Sequence, residues 1–457
     1  MADNQCMFGQ LVICRFMTSL NIKSFIGMIL LVALAWLFSS QKRIFNWRVV
    51  IWGILLQFLF AGFLFCMPAG IKFFLFVNNV VVKLLSCASK GTHFVFGALA
   101  VSPGEVSPNG EQSLGFLLAF QALPTIVFFT ALMSILYYWR IMPFVIRCFA
   151  FVFTRLMKVS GAESLCAASN IFMGIESAAA IRPYLEKMTS SELFVVLTAG
   201  MATIASNVLA FYTLCLKQQF AGIAGHLISA SLLSAPSALL MAKIMVPETE
   251  TPVTMGEIVE EVKGEDNSLF EAVINGAMAG MKLIFGIIAL LLAVLGLAEL
   301  LNAIVGFIGT RVNILFGWGF KWSLDGLFTI IFYIPAMLLG LPAEDIGLVA
   351  QLLGMRILGT EVRSYMELSS MLSQNAFTSL RSAVIASYAL CGFAHVASVA
   401  IFVGGISALV PSRMRDLARL GFRALVAATL ACLMTACVVG VFITDNSPLL
   451  GIAMQSE

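Results

Sequence analysis

Two glutamates stand inside long apolar segments of this chain, each two residues after a glycine. Glu176 lies in Gly174-Ile-Glu-Ser, and Glu361 lies in Gly359-Thr-Glu-Val. An ionised carboxylate at the centre of a bilayer costs at least ~2.5–3.5 kcal/mol, so both side chains should face a water-filled cavity or a partner. A break at glycine also frees N–H groups on the following half-helix, and its unwound carbonyls can hold a cation. The two motifs therefore predict binding sites for a polar ligand and a cation.

An arginine follows each glutamate, and this leaves a structural alternative open. Arg182 follows Glu176, and Arg363 follows Glu361. An ion pair in either place would only hold helices together. The intramembrane setting favours the binding interpretation, because ionisable residues inside spans mark pathways and sites.

Other polar side chains lie inside apolar segments. His395 falls in the middle of a predicted span, and Ser398 follows at i+3 on the same helix face. The histidine either lines a pathway or is a hydrogen-bonded core residue. Asn170, Thr203 and Ser206 are more ambiguous than His395, because such residues also join packed helices.

The elements that position these residues must be membrane helices. Of 457 residues, 60% are hydrophobic and 11% are charged, and the mean hydropathy is +0.98, far from that of soluble domains. The net charge of +3 is spread among loops, which gives no footprint for nucleic acid. The sequence has no phosphate-binding glycine loop with its lysine, no HExxH and no GxSxG. We therefore expect a multi-pass protein of the lipid bilayer that is not an enzyme and has no organic cofactor.

Hydropathy predicts an all-α polytopic fold with about eight spans. They lie at 24–40, 48–67, 115–138, 190–216, 225–246, 273–308, 383–407 and 425–443. Within the sixth span, Gly276-Ala-Met-Ala-Gly280 predicts close approach of a second helix.

Four further regions do not fit this scheme. Residues 70–98 and 141–158 mix basic residues with aromatics, as interfacial helices do. Residues 161–188 and 325–374 are interrupted, the first at Gly174 and the second near 341–342 and 359–360. The last two are predicted to be re-entrant helical hairpins.

Basic residues predict the orientation, because cytoplasmic loops carry the excess of lysine and arginine. The basic residues form three clusters. The first follows span one (Lys42, Arg43 and Arg48), the second follows span three (Arg140, Arg147, Arg155 and Lys158), and the third precedes the last span (Arg413, Arg415, Arg419 and Arg423). All fall on one side if both termini are non-cytoplasmic. The hairpins then open to opposite sides, and the shared Gly-x-Glu pattern suggests a weak internal repeat around a midplane site.

The chain closely resembles the concentrative nucleoside transporter family. The residues that carry the match are Asn170-Ile-Phe-Met-Gly174, Glu176-Ser177 with Arg182-Pro183, Ser191-Glu192-Leu193, Thr203-Ile204-Ala205, Ser234-Ala235-Pro236, Pro247-Glu-Thr-Glu250 and Ala389-Leu-Cys-Gly-Phe-Ala394. The resemblance runs from about residue 24 to 443. It implies a homotrimer whose transport domain moves like an elevator against a scaffold, with nucleosides driven uphill by sodium or, in some members, by protons.

This resemblance also implies a division of the chain. Residues 24–158 would form scaffold and interfacial helices, residues 161–246 the first hairpin and transport-domain helices, and residues 247–267 an acidic cytoplasmic loop. Residues 273–308 would form a long scaffold helix, residues 325–407 the second hairpin and a transport-domain helix, and residues 425–443 the last helix. From composition alone, the acidic loop reads as a solvated connection.

Carried over residue by residue, the resemblance implies two adjoining sites. The sodium site would comprise the side chains of Asn170 and Thr203 and the carbonyls of Met173 and Ile204, an oxygen-only set that suits a hard cation. The substrate site would comprise Glu361 and Ser398 on the ribose, Glu176, His395, and the apolar wall residues Phe393 and Val208.

Two residues depart from the family pattern. The first hairpin lacks the Gln and hydroxyl that face the base and has Ile175, and His395 replaces an Asn that contacts the ribose. Loss of a hydrogen-bonding group relaxes discrimination, so the base preference should be atypical. We expect a sodium-coupled nucleoside importer of the cell (inner) membrane. A proton-coupled symporter that uses Glu361 and His395, or a facilitative permease, remains as an alternative.

Overall fold

A computed structural model describes residues 18–101, 112–257, 259, 266–316, 322–445, 447 and 449. Within these residues the regular structure is helical, apart from isolated β-bridge residues at Gln112, Phe220, Ser160 and Met255, the last two of which pair with each other. A helix satisfies its own backbone hydrogen bonds, which a lipid environment demands. The predicted all-α fold is confirmed.

Within the described residues, the first third of the chain contains six α-helices. They are α1 (Ser19–Leu37), α2 (Trp47–Cys66), α3 (Pro68–Phe96), α4 (Leu118–Gln121), α5 (Thr125–Tyr138) and α6 (Ile141–Met157). The predicted interfacial region 70–98 is the continuous helix α3, which is long and apolar enough to cross a membrane. The interfacial placement of α3 and α6 remains a prediction.

The middle of the chain contains the first interrupted region. Its helices are α7 (Gly161–Ser169), α8 (Ser177–Ala180), α9 (Arg182–Leu185), α10 (Ser190–Ala202), α11 (Ser206–Leu216) and α12 (Ile223–Met245). The non-helical stretch 170–176 includes Gly174, where the sequence predicts the hairpin to break.

The last part begins with the longest helix. The helices are α13 (Leu269–Phe316), α14 (Leu324–Met337), α15 (Ala343–Leu358), α16 (Glu361–Ser373), α17 (Leu380–Leu390), α18 (Val396–Leu409) and α19 (Met414–Phe442). Non-helical residues separate α14 from α15 at 338–342 and α15 from α16 at 359–360, close to the predicted interruptions. That either hairpin re-enters the membrane, and that the two have opposite orientation, remain predictions.

Seven helical segments of the described residues are long and apolar enough to span a membrane, and six of them match predicted spans. The two other predicted spans are each divided. Residues 190–216 break at Thr203-Ile204-Ala205, and residues 383–407 break at 391–395. Gly392, in the second break, has a φ of 145°, a conformation that favours glycine.

The two breaks lie against each other. A Cβ on Gly392 would lie 2.9 Å from the carbonyl oxygen of Ala202, the last residue of α10. Glycine is therefore needed for the close approach as well as for the backbone angle. The two interrupted helices cross where both have unwound backbone.

The three basic clusters lie at one end of the helix bundle. Arg48 Nε donates to the Leu156 carbonyl at 2.9 Å, which joins the first cluster to the second. Arg423 Nη2 donates to the Phe38 carbonyl at 3.1 Å, which joins the third cluster to the end of α1. That this end is cytoplasmic remains a prediction, and the predicted location of the termini concerns residues 1–17 and 450–457, outside the described ranges.

Burial divides the long helices into two groups. The most apolar windows of α12 and α19 are 89% and 83% buried, whereas that of α13 is 11% buried. The helix α13 packs mainly on α5, and a Cβ on Gly276 would lie 2.5 Å from Ser134 Oγ. The predicted close helix approach at Gly276 and Gly280 is confirmed, and most of α13 faces away from the protein interior.

The described part of the acidic loop packs on the first hairpin. Gly161 donates its N–H to the Thr254 carbonyl at 2.9 Å, and Glu248 pairs with Lys243 at 3.1 Å. The interpretation of this part as a merely solvated connection is wrong, because the Thr254 backbone bonds the start of α7 and the Glu248 carboxylate pairs with Lys243 of α12. Residues 258 and 260–265 of the loop are outside the described ranges.

Candidate binding site

Glu361 is the first residue of α16 and is 4% exposed. Its Oε1 accepts a hydrogen bond from the Tyr212 hydroxyl at 2.5 Å, and its Oε2 lies 2.9 Å from His395 Nε2. The start of a helix favours an anion, because its free N–H groups carry positive partial charge. Three elements, α16, α11 and the 391–395 break, thus converge on one carboxylate.

His395 caps the second half of the interrupted helix. The backbone N–H of Ser398 donates to His395 Nδ1 at 3.2 Å, and the Ser398 hydroxyl donates to the His395 carbonyl at 2.6 Å. Nδ1 can accept only when it carries no proton, so the hydrogen-bond pattern assigns the ring proton to Nε2, the nitrogen that lies 2.9 Å from Glu361 Oε2. The histidine therefore connects the N-terminus of α18 to the carboxylate, and it lies at a helix end instead of inside a continuous helix.

Sequence reasoning missed Tyr212. This residue lies one turn after Val208 on α11, and the i, i+4 spacing to a predicted pocket residue is the signal that could have found it. Its ring packs on Tyr365 of α16, with ring centroids 4.7 Å apart. The stack fixes the hydroxyl toward Glu361, because tight packing leaves the ring little rotational freedom.

The structural alternative for Glu361 is wrong. Arg363 pairs with Asp325 at 2.9 Å, and both side chains are about one-third exposed. Glu361 is bound by Tyr212 and His395 instead. Its negative charge is therefore not cancelled by the nearby arginine.

Glu176 is placed differently from Glu361. Its side chain is exposed, and Oε2 accepts a hydrogen bond from the Gly174 N–H at 3.1 Å, which closes the turn of the hairpin tip. Within the described ranges no salt bridge joins Glu176 to Arg182, and no hydrogen bond joins it to Glu361. The two glutamates are not brought together in this conformation.

The four residues of the implied sodium site lie at two adjacent breaks. Asn170 and Thr203 follow the last residues of α7 and α10 and are 0% and 1% exposed. The Ser206 N–H donates to the Phe172 carbonyl at 2.9 Å, which joins the hairpin tip to the interrupted helix.

The chemistry of the donor atoms fits a hard cation. Asn170 donates through Nδ2 to the Cys166 carbonyl at 2.9 Å, which leaves Oδ1 as an acceptor that binds the Ser177 hydroxyl at 3.0 Å. Thr203 donates to the Ala199 carbonyl at 2.9 Å, so the lone pairs of its oxygen stay available. Oxygen donors of this kind bind alkali and alkaline-earth cations.

The other two implied sodium ligands are the carbonyl oxygens of Ile204 and Met173. The Ile204 carbonyl accepts a hydrogen bond from the Ser231 hydroxyl at 3.3 Å, which is a weak interaction. The side chain of Met173, in contrast, is held by the Tyr137 hydroxyl at 2.6 Å from Sδ. The sulfur contact fixes the tip to α5 without using the Met173 carbonyl.

The remaining predicted residues are apolar. Val208 is buried on α11, and Phe393 is half-buried in the break that precedes His395. Ile175 packs on α18, where a Cβ on Gly405 would overlap its Cδ1. Ile175 thus serves as a packing contact between the hairpin tip and α18.

Most of the chain matches known family descriptions. Residues 226–440 match "Na+ dependent nucleoside transporter C-terminus", residues 26–99 match "Na+ dependent nucleoside transporter N-terminus", and residues 119–219 match "Nucleoside recognition".

Relatives extend over nearly the whole chain. An uncharacterized transporter of Haemophilus influenzae is 36% identical over 429 residues, which are 92% of this chain and 98% of that protein. Solute carrier family 28 member 3 of Mus musculus is 35% identical over 435 residues, which are 92% of this chain but 59% of the mouse protein.

Solved structures are similar over nearly their whole length. CNTnw in an inward-facing substrate-bound state has a TM-score of 0.83 at 33% identity, with 93% of this chain and 98% of that chain covered. A doubly substituted CNTnw in an outward-facing state has a TM-score of 0.81 at 32% identity, with 93% and 98% covered.

Proposed function

This chain belongs to the concentrative nucleoside transporter family and is a nucleoside transporter, and on that premise we propose that it imports nucleosides by sodium symport. The observation that carries the proposal is the buried Glu361 carboxylate, fixed by Tyr212 and His395. A carboxylate accepts two hydrogen bonds from a vicinal diol such as a ribose, and charge-assisted bonds of this kind are strong. Glu361 is therefore the proposed ribose ligand.

The proposed sodium ligands are Asn170, Thr203 and the carbonyls of Met173 and Ile204. Both side-chain oxygens retain acceptor capacity, and both residues stand at helix C-termini, where the backbone favours a cation. The ion would join α7 to α10 and so order the hairpin tip. Glu176 at this tip is proposed to reach the substrate only when the tip closes, because it is exposed and bonded to Gly174 here.

The proposed transport motion is of the elevator type. The Ser206–Phe172 hydrogen bond and the Gly392–Ala202 contact join the hairpin tip and both interrupted helices, so these parts are suited to move as one body. The mostly exposed helix α13 is suited to the scaffold and to contacts in a homotrimer. Helices of one chain move past each other with little cost where few contacts cross between them.

Proton coupling is a second candidate, favoured by the 2.9 Å contact between His395 and Glu361. Histidine titrates near neutral pH and could load a proton. The capping of α18 by Nδ1 weighs against it, because protonation of this nitrogen would remove the acceptor that Ser398 uses. Sodium coupling therefore remains the leading proposal.

The test is uptake of labelled uridine and adenosine by the purified protein in liposomes. We expect accumulation above equilibrium with an inward sodium gradient, about 100-fold loss in Glu361→Gln, and no change in Glu344→Gln, whose side chain is exposed on α15. Uptake driven by a pH gradient without sodium would show that the coupling ion is the proton and not sodium. Equilibration without accumulation would indicate a facilitative permease, and no uptake under either gradient would refute the proposal.

A further inference from the structure

Arg356 is a fully buried cation that the proposed site does not use. It lies in the last turn of α15 and is 0% exposed. Nη1 donates to the Ala389 carbonyl at 2.5 Å, in the last turn of α17. Nε and Nη2 have no hydrogen-bond partner within the described residues.

No carboxylate compensates this charge within the described ranges. Lys243, another buried cation, pairs with Glu163 at 2.8 Å and with Glu248 at 3.1 Å. Arg356 forms no such pair, and an uncompensated charge in a dry interior is costly. Its surroundings must therefore supply negative potential in another form.

Helix C-termini supply that potential. The chain leaves α15 after Leu358 and leaves α17 after Leu390; Arg356 stands in the last turn of the first helix, and its guanidinium contacts the last turn of the second. Each helix end carries a partial negative charge, and a cation there is stabilised. The Ala389 contact shows that Arg356 lies at the end of α17 as well as in the last turn of its own helix.

The first half of the protein has the same arrangement without an arginine. There Asn170 caps the end of the hairpin helix α7, and Thr203 caps the end of α10, the first part of the interrupted helix. Neither helix has a basic residue in its last turn. These are the ends at which we place sodium. In the second half, Arg356 joins the corresponding helix ends. It lies in the last turn of the hairpin helix α15 and contacts the last turn of α17, the first part of the interrupted helix.

We infer that Arg356 is a tethered cation that takes the place of a second coupling ion. The guanidinium neutralises the helix ends of the second half, as a monovalent cation does in the first half, so one sodium ion moves with each nucleoside. The identity of the ion in the first half rests on the proposed function, whereas the role of the fixed charge does not.

The test compares uptake by Arg356→Lys and Arg356→Ala in liposomes as a function of sodium concentration. We expect Arg356→Lys to keep uptake within about threefold of the unmodified protein and a Hill coefficient for sodium of about one, because it conserves the charge. Arg356→Ala should lose at least about tenfold at low sodium and recover at high sodium with a Hill coefficient closer to about two, because a second ion replaces the arginine. The control is Arg381→Ala, a buried arginine bonded to the carbonyls of Gly340, Gly440 and Ile443, which should lower the yield of folded protein without steepening the sodium dependence.

Other outcomes overturn the inference. Unchanged uptake and a Hill coefficient near one in Arg356→Ala would show that the charge is not needed. Loss of uptake in folded Arg356→Lys would show that the guanidinium shape matters and not the charge, and this variant decides the question if Arg356→Ala fails to fold. If the unmodified protein proves to be proton-driven, sodium coupling fails, but the Lys-against-Ala comparison still tests the fixed charge.

Discussion

The two nitrogens of His395 hold two different parts of the site: Nε2 lies 2.9 Å from the Glu361 carboxylate, and Nδ1 accepts the Ser398 N–H at 3.2 Å. One imidazole ring therefore links the start of α16 to the start of α18. The neutral ring with a proton on Nε2 satisfies both contacts, whereas a doubly protonated ring satisfies only the contact with Glu361. The capping bond thus depends on the charge of the histidine.

Removal of the His395 cap should consequently slow sodium-driven uptake. His395→Ala removes both the acceptor for the Ser398 N–H and the contact with Glu361, and loss of an N-cap costs about 0.5–2 kcal/mol, so we expect uptake to fall at least about threefold. In His395→Asn the amide oxygen can still cap the helix, so the fall should be smaller; equal losses in the two variants would show that the cap does not matter. A rise in uptake at acidic external pH without sodium, lost in His395→Asn, would instead favour proton coupling.

Removal of the Tyr212 hydroxyl should weaken substrate binding. Tyr212→Phe removes the donor to Glu361, and a hydrogen bond to a charged group contributes about 1.5–3 kcal/mol, so we expect the apparent KM to rise tenfold or more. Tyr365→Phe is the matched control, because its hydroxyl binds the Ser387 carbonyl at 2.9 Å. Equal effects of the two substitutions on KM would show that the tyrosines act only through packing.

The contact between Ile175 and Gly405 can be tested by steric complementation. Gly405→Val should displace the first hairpin tip, because any Cβ there overlaps Ile175, and uptake should fall about tenfold since a cavity-free contact does not tolerate added volume. Ile175→Ala in the same protein should restore much of it. Gly404→Val, at a position with no atom within 4 Å of the added Cβ, should behave like the unmodified protein; a similar loss there would point to helix propensity as the cause.

The buried charge cluster at the start of α7 should govern stability. Lys243→Met leaves the 0%-exposed Glu163 without its cation, and breaking a buried ion pair in this way costs about 3–5 kcal/mol. We expect a lower apparent melting temperature by scanning fluorimetry in detergent. The double variant Lys243→Met, Glu163→Gln should recover part of the loss, because the unpaired charge is removed; an unchanged melting temperature in the single variant would mean that the pair is not buried in solution.

The local chemistry of the chain could be predicted from its residues. Apolar composition requires helices in lipid, and the interruptions near Gly174, at 341–342 and at Gly359 follow from glycine and proline. Glu361 was found because an ionisable residue in an apolar segment needs a partner. These inferences use neighbours in the sequence only.

Tertiary structure decided which partners meet. Arg363, two residues from Glu361, pairs with Asp325, whereas Tyr212, 149 residues away, binds the carboxylate. The spans at 190–216 and 383–407 read as continuous, because each segment is apolar throughout and hydropathy does not reveal an unwound turn within it. The breaks at Thr203 and Gly392 are stabilised by contact with each other and with the hairpins.

The sequence by itself therefore determined that the chain is helical, lies in a membrane and carries a carboxylate that must bind something. The three-dimensional fold alone decided that Tyr212 and His395 hold this carboxylate and that Arg356 lies at the end of α17. The physical reason is that apolar helices in lipid have few pairing preferences of their own. Their neighbours are selected by long-range packing and by the buried hydrogen bonds that this packing completes.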